Sequence, residues 1–167
     1  LSGGRPLLLL NNQNDSGVGF IGNTFVADGN WHHISVGLNS TDISIYVDGI
    51  LDTEGSFDYS MNSGGGDLWF GKEGNGYSYY TGWLDEVVIW SSALTQSEMQ
   101  DLTPPNANDP DIVGYWNFNE GSGDTTEDQS GNGNTGTIIG ATWSTEVPIA
   151  YIPGSFTWQA TNDLPNG

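Results

Sequence analysis

The sequence contains no cysteine, which excludes disulfide bonds, catalytic thiolates and cysteine-based zinc sites. Basic residues are nearly absent too. The sequence contains only Arg5 and Lys72 but 21 acidic residues, which gives a formal net charge of −19. A polyanion of this kind repels nucleic acids and anionic membrane surfaces, because both bind through Lys and Arg. We therefore predict no nucleic-acid partner and a preference for divalent cations or high ionic strength.

Long hydrophobic runs are missing as well. The apolar stretch at residues 6–10 reads PLLLL, whereas a membrane-spanning helix needs about 20 apolar residues. This stretch is typical of a buried strand, so we predict no membrane insertion. The chain also starts in the middle of a strand-like pattern, which indicates a segment with neighbouring domains in a longer protein.

Glycine and aromatic residues are abundant, with 25 glycines and seven tryptophans. Short strand-like runs recur about every ten residues, separated by turns rich in Gly, Asn, Asp and Ser. The runs cover residues 7–10, 18–21, 32–38, 43–47, 68–70, 83–90, 114–118 and 137–139. This rhythm predicts an all-β sandwich or barrel.

Two local patterns give detail within that fold class. In DISIYVDG, Ile43, Ile45 and Val47 alternate with polar neighbours and lead to a hairpin-turn pair at residues 48–49. In GWLDEVVIW (82–90) both faces of the predicted strand are apolar, and each face carries one carboxylate near the start of the strand. That strand is therefore expected to be covered on both sides.

One helical turn is predicted where Thr95 stands three residues before Glu98, the spacing of a capping box. Leu94, Met99 and Leu102 would supply its apolar side. A short linker rich in Pro, Asn and Asp follows at residues 104–111.

An ordered series of motifs resembles the C-terminal half of a laminin G-like, concanavalin A-like jelly-roll domain. The motifs are WHHISV (31–36), SIYVDGIL (44–51), LWFGK (68–72) and YTGWLDEVVIWSSALTQSEM (80–99). The stretch at 114–144, GYWNFNEGSGDTTEDQSGNGNTGTIIGATWS, resembles the opening of the same domain type. The resemblance implies an antiparallel jelly-roll β-sandwich with one short helical turn.

The order of these two halves is inverted relative to the family. Either the second stretch opens another copy of the domain, or the domain is circularly permuted and its first strands lie near the C-terminus. We favour permutation, since the linker at 104–111 has the usual length for joining elements within one domain. The predicted division is a C-terminal half at 1–103, the linker, N-terminal strands at 112–147 that complete the same sandwich, and a tail or new module at 148–167. Several strands of the family are missing between the halves, so either upstream sequence supplies them or the sandwich is incomplete.

The stretch DQSGNGNTG at 128–136 is rich in side-chain oxygen and glycine, which suits calcium, an ion that takes six to eight oxygen ligands. The resemblance implies that this loop lies near the LDEV strand and can hold a structural calcium ion. The implied ligands are Asp128 and Asn134 from the loop, with Asp85 or Glu86 from the strand. The alternative is a loop whose side chains bond to their own backbone, and Asp85 pairs equally well with backbone amides.

An aromatic-rich segment, KEGNGYSYYTGW, covers residues 72–83. Tyr77, Tyr79, Tyr80 and Trp83 are candidate ligand-binding residues, because loops at the edge of a rigid sandwich commonly carry recognition. The alternative is that these side chains cover the sheet edge or pack on a neighbouring module.

Catalysis is not expected. His32 and His33 open a core strand and lack a cysteine or well-placed serine nucleophile, and DEVV (85–88) does not match the paired carboxylates of related glycosidases. We expect a non-catalytic recognition or adhesion module of a large extracellular or cell-surface protein, calcium-stabilised and binding glycans or proteins. Alternatives are a structural spacer repeat in a surface fibre and an ancillary carbohydrate-binding domain of a polysaccharide-active enzyme.

Overall fold

The computed structural model describes residues 3–11, 17–39, 42–56, 67–72, 79–101 and 103–148, and all structural statements below concern these residues. Their regular elements are β1 (Leu7–Asn11), β2 (Gly17–Ile21), β3 (Ile34–Asn39), β4 (Asp42–Val47), β5 (Ile50–Ser56), β6 (Val87–Trp90), α1 (Gln96–Met99), β7 (Ile112–Trp116), β8 (Thr125–Thr126) and β9 (Gly136–Thr137). The strands pair antiparallel as β1–β2, β3–β4–β5, β6–β7 and β8–β9. This confirms the predicted all-β class. Within the described ranges, no helix has the length and apolar character to cross a membrane.

Strand β4 lies at the centre of the core, as its alternation predicts. Ile43 and Ile45 are each 1% exposed, and Leu8, Phe20 and Leu38 pack against them. The hairpin from β4 to β5 turns at Asp48 and Gly49, whose φ angles of +52° and +73° suit the tight turns that join twisted strands. The β1–β2 hairpin therefore covers the inner face of the central sheet.

Helix α1 lies against the opposite face of the same sheet. Its capping box is present, with Thr95 and Glu98 exchanging the expected side-chain to backbone hydrogen bonds. Met99 is buried, and its Sδ would lie 3.2 Å from a Cβ placed on Gly37 of β3, so the helix packs closely on the strand at this point. The predicted helical turn is confirmed, while Leu102 lies outside the described residues.

Strand β7 pairs with β6, and this pairing joins the two halves of the sequence. Val87 pairs with Trp116, and Val88 with Tyr115. The linker at 104–111 thus returns the chain to pair with the strand before α1. The domain boundaries and the permutation stay predictions, and residues 149–167 of the expected tail lie outside the described residues.

Some strand predictions were wrong. Residues 68–70 form no strand, and the predicted strand at 83–90 begins only at Val87. Glu86 has φ +52°, and this left-handed conformation interrupts the extended backbone. The strict two-residue alternation that placed Asp85 and Glu86 on opposite faces of a strand therefore does not apply to them. Strands β5 and β8 were not predicted.

Candidate functional site

Three of the four predicted aromatic ligand residues are exposed side by side. Tyr79 is 71% exposed, Tyr80 43% and Trp83 52%. We call these three, together with the nearby Trp31 and Trp69, the aromatic surface. Tyr77, the fourth predicted residue, lies outside the described residues. A contiguous patch of exposed apolar side chains is typical of interaction sites, which makes this surface a candidate for contact.

Short backbone contacts fix the segment that carries the tyrosines. The amide of Tyr80 donates to the carbonyl of Gly71 at 2.8 Å, and Lys72 and Tyr79 form an isolated antiparallel bridge. The Tyr80 hydroxyl donates to the carbonyl of Trp83 at 3.3 Å. A Cβ on Gly82 would lie 2.6 Å from that hydroxyl oxygen, so the ring can fold over the backbone only because residue 82 is glycine.

The two added tryptophans extend this surface from other parts of the chain. The rings of Trp31 and Trp83 have their centroids 6.2 Å apart at an interplanar angle of 30°. Lys72 Nζ lies 3.9 Å from the centroid of the Trp69 ring, a cation–π contact. Sequence reasoning missed both tryptophans, because each is distant along the chain or was assigned to a strand. The surface thus combines aromatic faces with one of the two basic residues of the chain.

The predicted metal ligands Asp85 and Glu86 lie just before β6. Asp85 Oδ1 accepts a hydrogen bond from the Glu86 amide at 3.0 Å, and the Tyr115 hydroxyl of β7 donates to Glu86 Oε2. Burial raises the pKa of Asp85, which its bond to the Glu86 amide offsets only in part. Burial also raises the pKa of Glu86, against the effect of the Tyr115 hydrogen bond, and the neighbouring Asp85 raises it further. Among the described residues no cationic side chain pairs with either carboxylate, and two neighbouring half-buried carboxylates would gain from a bound cation.

Asp128 behaves differently, because protein donors surround both of its oxygens. Oδ1 accepts from the Tyr115 amide at 3.0 Å, the Ser130 amide at 3.0 Å and the Ser130 hydroxyl at 2.6 Å. Oδ2 accepts from the amide and the side-chain Nδ2 of Asn134, each at 3.0 Å. Although burial raises the pKa of Asp128, these bonds from Ser130, Tyr115 and Asn134 outweigh it and hold that pKa well below its ordinary value.

The asparagines of the same loop attach it to β7. Asn134 Nδ2 donates to the Val113 carbonyl at 2.8 Å, and Asn132 Nδ2 donates to the Ile112 carbonyl at 2.8 Å. The Asn134 carbonyl accepts from the indole Nε1 of Trp116 at 2.8 Å. The loop therefore closes on the backbone of β7 through its asparagine side chains, while Asp128 bonds to the loop's own amides at Ser130 and Asn134.

The four predicted calcium ligands therefore differ in their fit. Asp85 and Glu86 offer half-buried anionic oxygens, which suit a hard cation. Asp128 already accepts N–H and O–H donors at both oxygens, and Tyr115 stands between the two groups, since its amide bonds to Asp128 and its hydroxyl to Glu86. In the described part of the chain, no group of three or more His, Asp or Glu side chains is arranged to hold a metal ion. The calcium site stays a prediction.

Calcium is expected to raise the melting temperature by a few degrees relative to EDTA if it binds at the carboxylate pair. With a Kd of about 0.1–1 mM, a tenfold excess of calcium adds roughly 1.4 kcal/mol. For a chain of this size, differential scanning calorimetry would then register a shift of about 3–6 °C. The double variant Asp85→Asn, Glu86→Gln is expected to lose the shift. A cooperative melt that calcium leaves unchanged would contradict a site at this pair.

Both histidines are hydrogen-bonded to neighbouring residues. The His32 ring bonds to two carboxylates, with Nδ1 2.8 Å from Asp48 and Nε2 3.1 Å from Asp28. Ser35 Oγ lies 3.3 Å from Nδ1 of His33, yet Asp48 accepts from the backbone amide of His33 instead of its ring. A serine nucleophile needs a histidine base that a third group orients, and the described hydrogen bonds give the His33 ring no such partner.

A cavity of about 650 Å³ opens elsewhere, at the ends of β3, β4 and β5 beside α1. Leu38, Ile43 and Met99 supply apolar lining, and Asp42 and Glu54 supply acidic lining. None of the aromatic-surface residues lines it. The aromatic surface is the better candidate for a binding site, because it presents flat, exposed rings in a fixed segment.

Comparison with known proteins agrees with this fold. A solved structure of a candidate carbohydrate-binding protein from Bacteroides ovatus ATCC 8483 is similar, with a TM-score of 0.52 and 17% sequence identity. The similarity covers 77% of this chain but only 42% of that protein, so the chain spans less than half of its length. No curated protein sequence matches. The laminin G-like family profile, described as the concanavalin A-like lectin/glucanases superfamily, matches residues 1–100. Because this match covers more than half of the chain, the protein belongs to the laminin G-like, concanavalin A-like family.

Proposed function

We propose that this chain is a non-catalytic recognition module that binds glycans through the aromatic surface. The observation that carries the proposal is the exposure of Tyr79, Tyr80 and Trp83 in a segment fixed by backbone hydrogen bonds. Burial of these rings against the core would have favoured a spacer. Exposed rings held in place are suited to contact the C–H faces of sugars, because little conformational freedom is lost on binding.

The charge of the chain narrows the class of glycan. A net charge of −19 repels sulfated and uronic-acid polysaccharides, so neutral glycans are the expected ligands. Lys72 is held on Trp69 beside the aromatic surface and offers N–H donors to sugar hydroxyls. Aromatic faces with a few polar groups are the usual composition of a small-ligand site.

Calcium and an extracellular setting are part of the proposal. The Asp85–Glu86 pair precedes β6 only two residues after Trp83, so a cation there would brace the base of the aromatic segment. A cysteine-free, strongly acidic domain suits calcium-rich surroundings outside the cell. In that setting the module would hold a longer protein to a glycan surface.

Affinity electrophoresis through gels that contain neutral polysaccharides tests this function. The panel pairs neutral polymers, such as xylan, galactomannan and β-1,3-glucan, with anionic ones, such as alginate and carrageenan. Each gel is run with calcium and with EDTA, which separates direct binding from a calcium requirement. We expect retardation by at least one neutral polymer and little by the anionic ones.

Tyr79→Ala and Trp83→Ala are each expected to weaken that retention about tenfold in Kd, since a lost aromatic contact of about 1.4 kcal/mol corresponds to that factor. Ile50→Ala is the matched control, because Ile50 is 72% exposed and lies at the start of β5, outside the aromatic surface. Equal retention of all three variants would place binding elsewhere. Absence of retention across the panel would favour the spacer, or a protein ligand for the aromatic surface.

A further inference from the structure

The His32 ring is held between two carboxylates that come from different parts of the chain. Asp28 lies four residues earlier, and Asp48 belongs to the turn between β4 and β5. The His32 side chain is only 16% exposed, so both contacts are partly shielded from water. The described charged groups that act on this ring are these two, while Asp48 also acts on the neighbouring His33.

The geometry favours the charged form of the His32 ring. An ionised carboxylate only accepts hydrogen bonds, so each ring nitrogen must carry a proton to bond to its partner. A neutral imidazole has a single N–H and would turn a lone pair toward one carboxylate. The arrangement is therefore complete only when His32 is an imidazolium, and charge-assisted bonds of this type are the stronger ones.

The same carboxylates also fix the backbone on both sides of Trp31. Asp28 Oδ1 accepts from the Asn30 amide at 2.9 Å, and Asp48 Oδ1 accepts from the His33 amide at 2.9 Å. Trp31 lies between these two anchored positions and places its ring against Trp83. The two carboxylates that hold the His32 ring therefore also hold the backbone that carries Trp31.

We propose that protonated His32 is a positioning residue for the aromatic surface, so that loss of its proton loosens the Trp31–Trp83 contact. This inference rests on the proposed function for its biological meaning, but the contact itself can be measured without a ligand. Binding through these rings would then be favoured in acidic to neutral surroundings and weakened in alkaline ones.

The direction of the pH dependence follows from the raised pKa of His32. Burial lowers the pKa of His32, but the hydrogen bonds to Asp48 and Asp28 outweigh it, so the pKa lies above the ordinary value of 6.5. The hydrogen bonds from Asn30 and His32 hold the pKa of Asp28 at about 2, so this carboxylate stays ionised throughout. A group with a raised pKa contributes its full stabilisation below pH 6.5 and loses it as the pH rises through the folded value.

The first test is an NMR titration of both histidines in the full chain, assigned with His33→Gln. We expect His32 to titrate above pH 6.5 and His33 below it, because burial lowers the pKa of His33. In parallel, circular dichroism follows the exciton signal of the tryptophan pair, isolated by subtracting the spectrum of Trp31→Phe. The signal is expected to fall with the same midpoint as the His32 titration.

Asp28→Asn separates positioning from a merely structural role. Asparagine keeps an oxygen for the Asn30 amide but removes the charge. The midpoint of the His32 titration and the midpoint of the tryptophan signal are therefore expected to move together to lower pH. Asp124→Asn, a charge change on an exposed residue outside the cluster, is expected to move neither. His32→Gln should abolish the pH-dependent step. A His32 midpoint at or below 6.5, or a tryptophan signal that ignores it, would overturn the inference, whereas glycan retention reports separately on the proposed function.

Discussion

Replacing Asp128 with alanine is expected to lower the free energy of unfolding by about 3–4 kcal/mol, because several donors lose their acceptor at once. The amide of Tyr115 belongs to a residue that is buried in β7, so water replaces the lost carboxylate poorly. The amides of Ser130 and Asn134 lose the charge-assisted bonds that close their loop. Chemical denaturation should show the loss directly, and calorimetry should show a melting temperature lower by about 10 °C.

Asp124→Ala is the matched control, since Asp124 is exposed and lies near the same loop but the described contacts use only its backbone carbonyl. Asp128→Asn tests the same contacts through the pH dependence of stability. Because the carboxyl pKa of Asp128 is lowered in the folded chain, its ionised form stabilises the fold at pH values above the ordinary pKa of 3.8. This stabilisation is lost as the pH falls through the pKa of the folded state. The gap in melting temperature between the native chain and Asp128→Asn should therefore narrow below about pH 4. Equal stability of Asp128→Ala and Asp124→Ala would show that the loop closes without the carboxylate.

This result also bears on calcium. If calcium bound to Asp128, the ion would compete with donors that already occupy both carboxylate oxygens. The rise in melting temperature that calcium causes should then be small in the native chain and independent of Asp85 and Glu86. A shift that survives Asp128→Asn but disappears with the double variant at residues 85 and 86 would place the ion at the half-buried pair.

Local signals allowed much of the fold to be predicted. The alternation of β4, the Asp48–Gly49 turn and the capping box of Thr95 each depend on residues a few positions apart. Strand β5 was missed because its sequence, ILDTEGS, alternates poorly, and it is extended through pairing with β4. The break at Glu86 was also missed, since no glycine or asparagine marks its left-handed backbone.

The candidate site shows the same division between local and distant information. Composition was enough to single out Tyr79, Tyr80 and Trp83 as candidates, because they crowd one short segment. The contact of Trp31 with Trp83 depends on the fold, which brings together residues that are far apart in sequence. The hydrogen bonds that link Asp128 to Tyr115 and Tyr115 to Glu86 likewise exist only because β7 pairs with β6. The sequence predicted Asp128 and Glu86 as metal ligands, but it did not predict that Tyr115 lies between them.

Gly114→Val is expected to destabilise the chain by about 3 kcal/mol or more, because β7 has no room for a side chain at that position. The indole of Trp116 lies over Gly114, and a Cβ there would collide with its six-membered ring. Moving the indole would break its edge-to-face contact with Phe70, whose centroid is 5.0 Å away, and its hydrogen bond to the Asn134 carbonyl. Urea denaturation measures the loss in free energy of unfolding. A shift of the tryptophan emission to longer wavelength in the variant would report that the Trp116 indole has become exposed.

Val113→Thr is the control for substitution within the same strand, since Val113 is exposed and threonine keeps the β-branched shape. A double-mutant cycle identifies the cause. If the collision with the indole is responsible, Gly114→Val should cost much less in a Trp116→Leu background, and the two changes should be strongly non-additive. Additive effects would mean that residue 114 needs glycine for its backbone alone. Non-additivity would show that the position of the Trp116 indole, which bonds to the loop at Asn134, depends on glycine at residue 114.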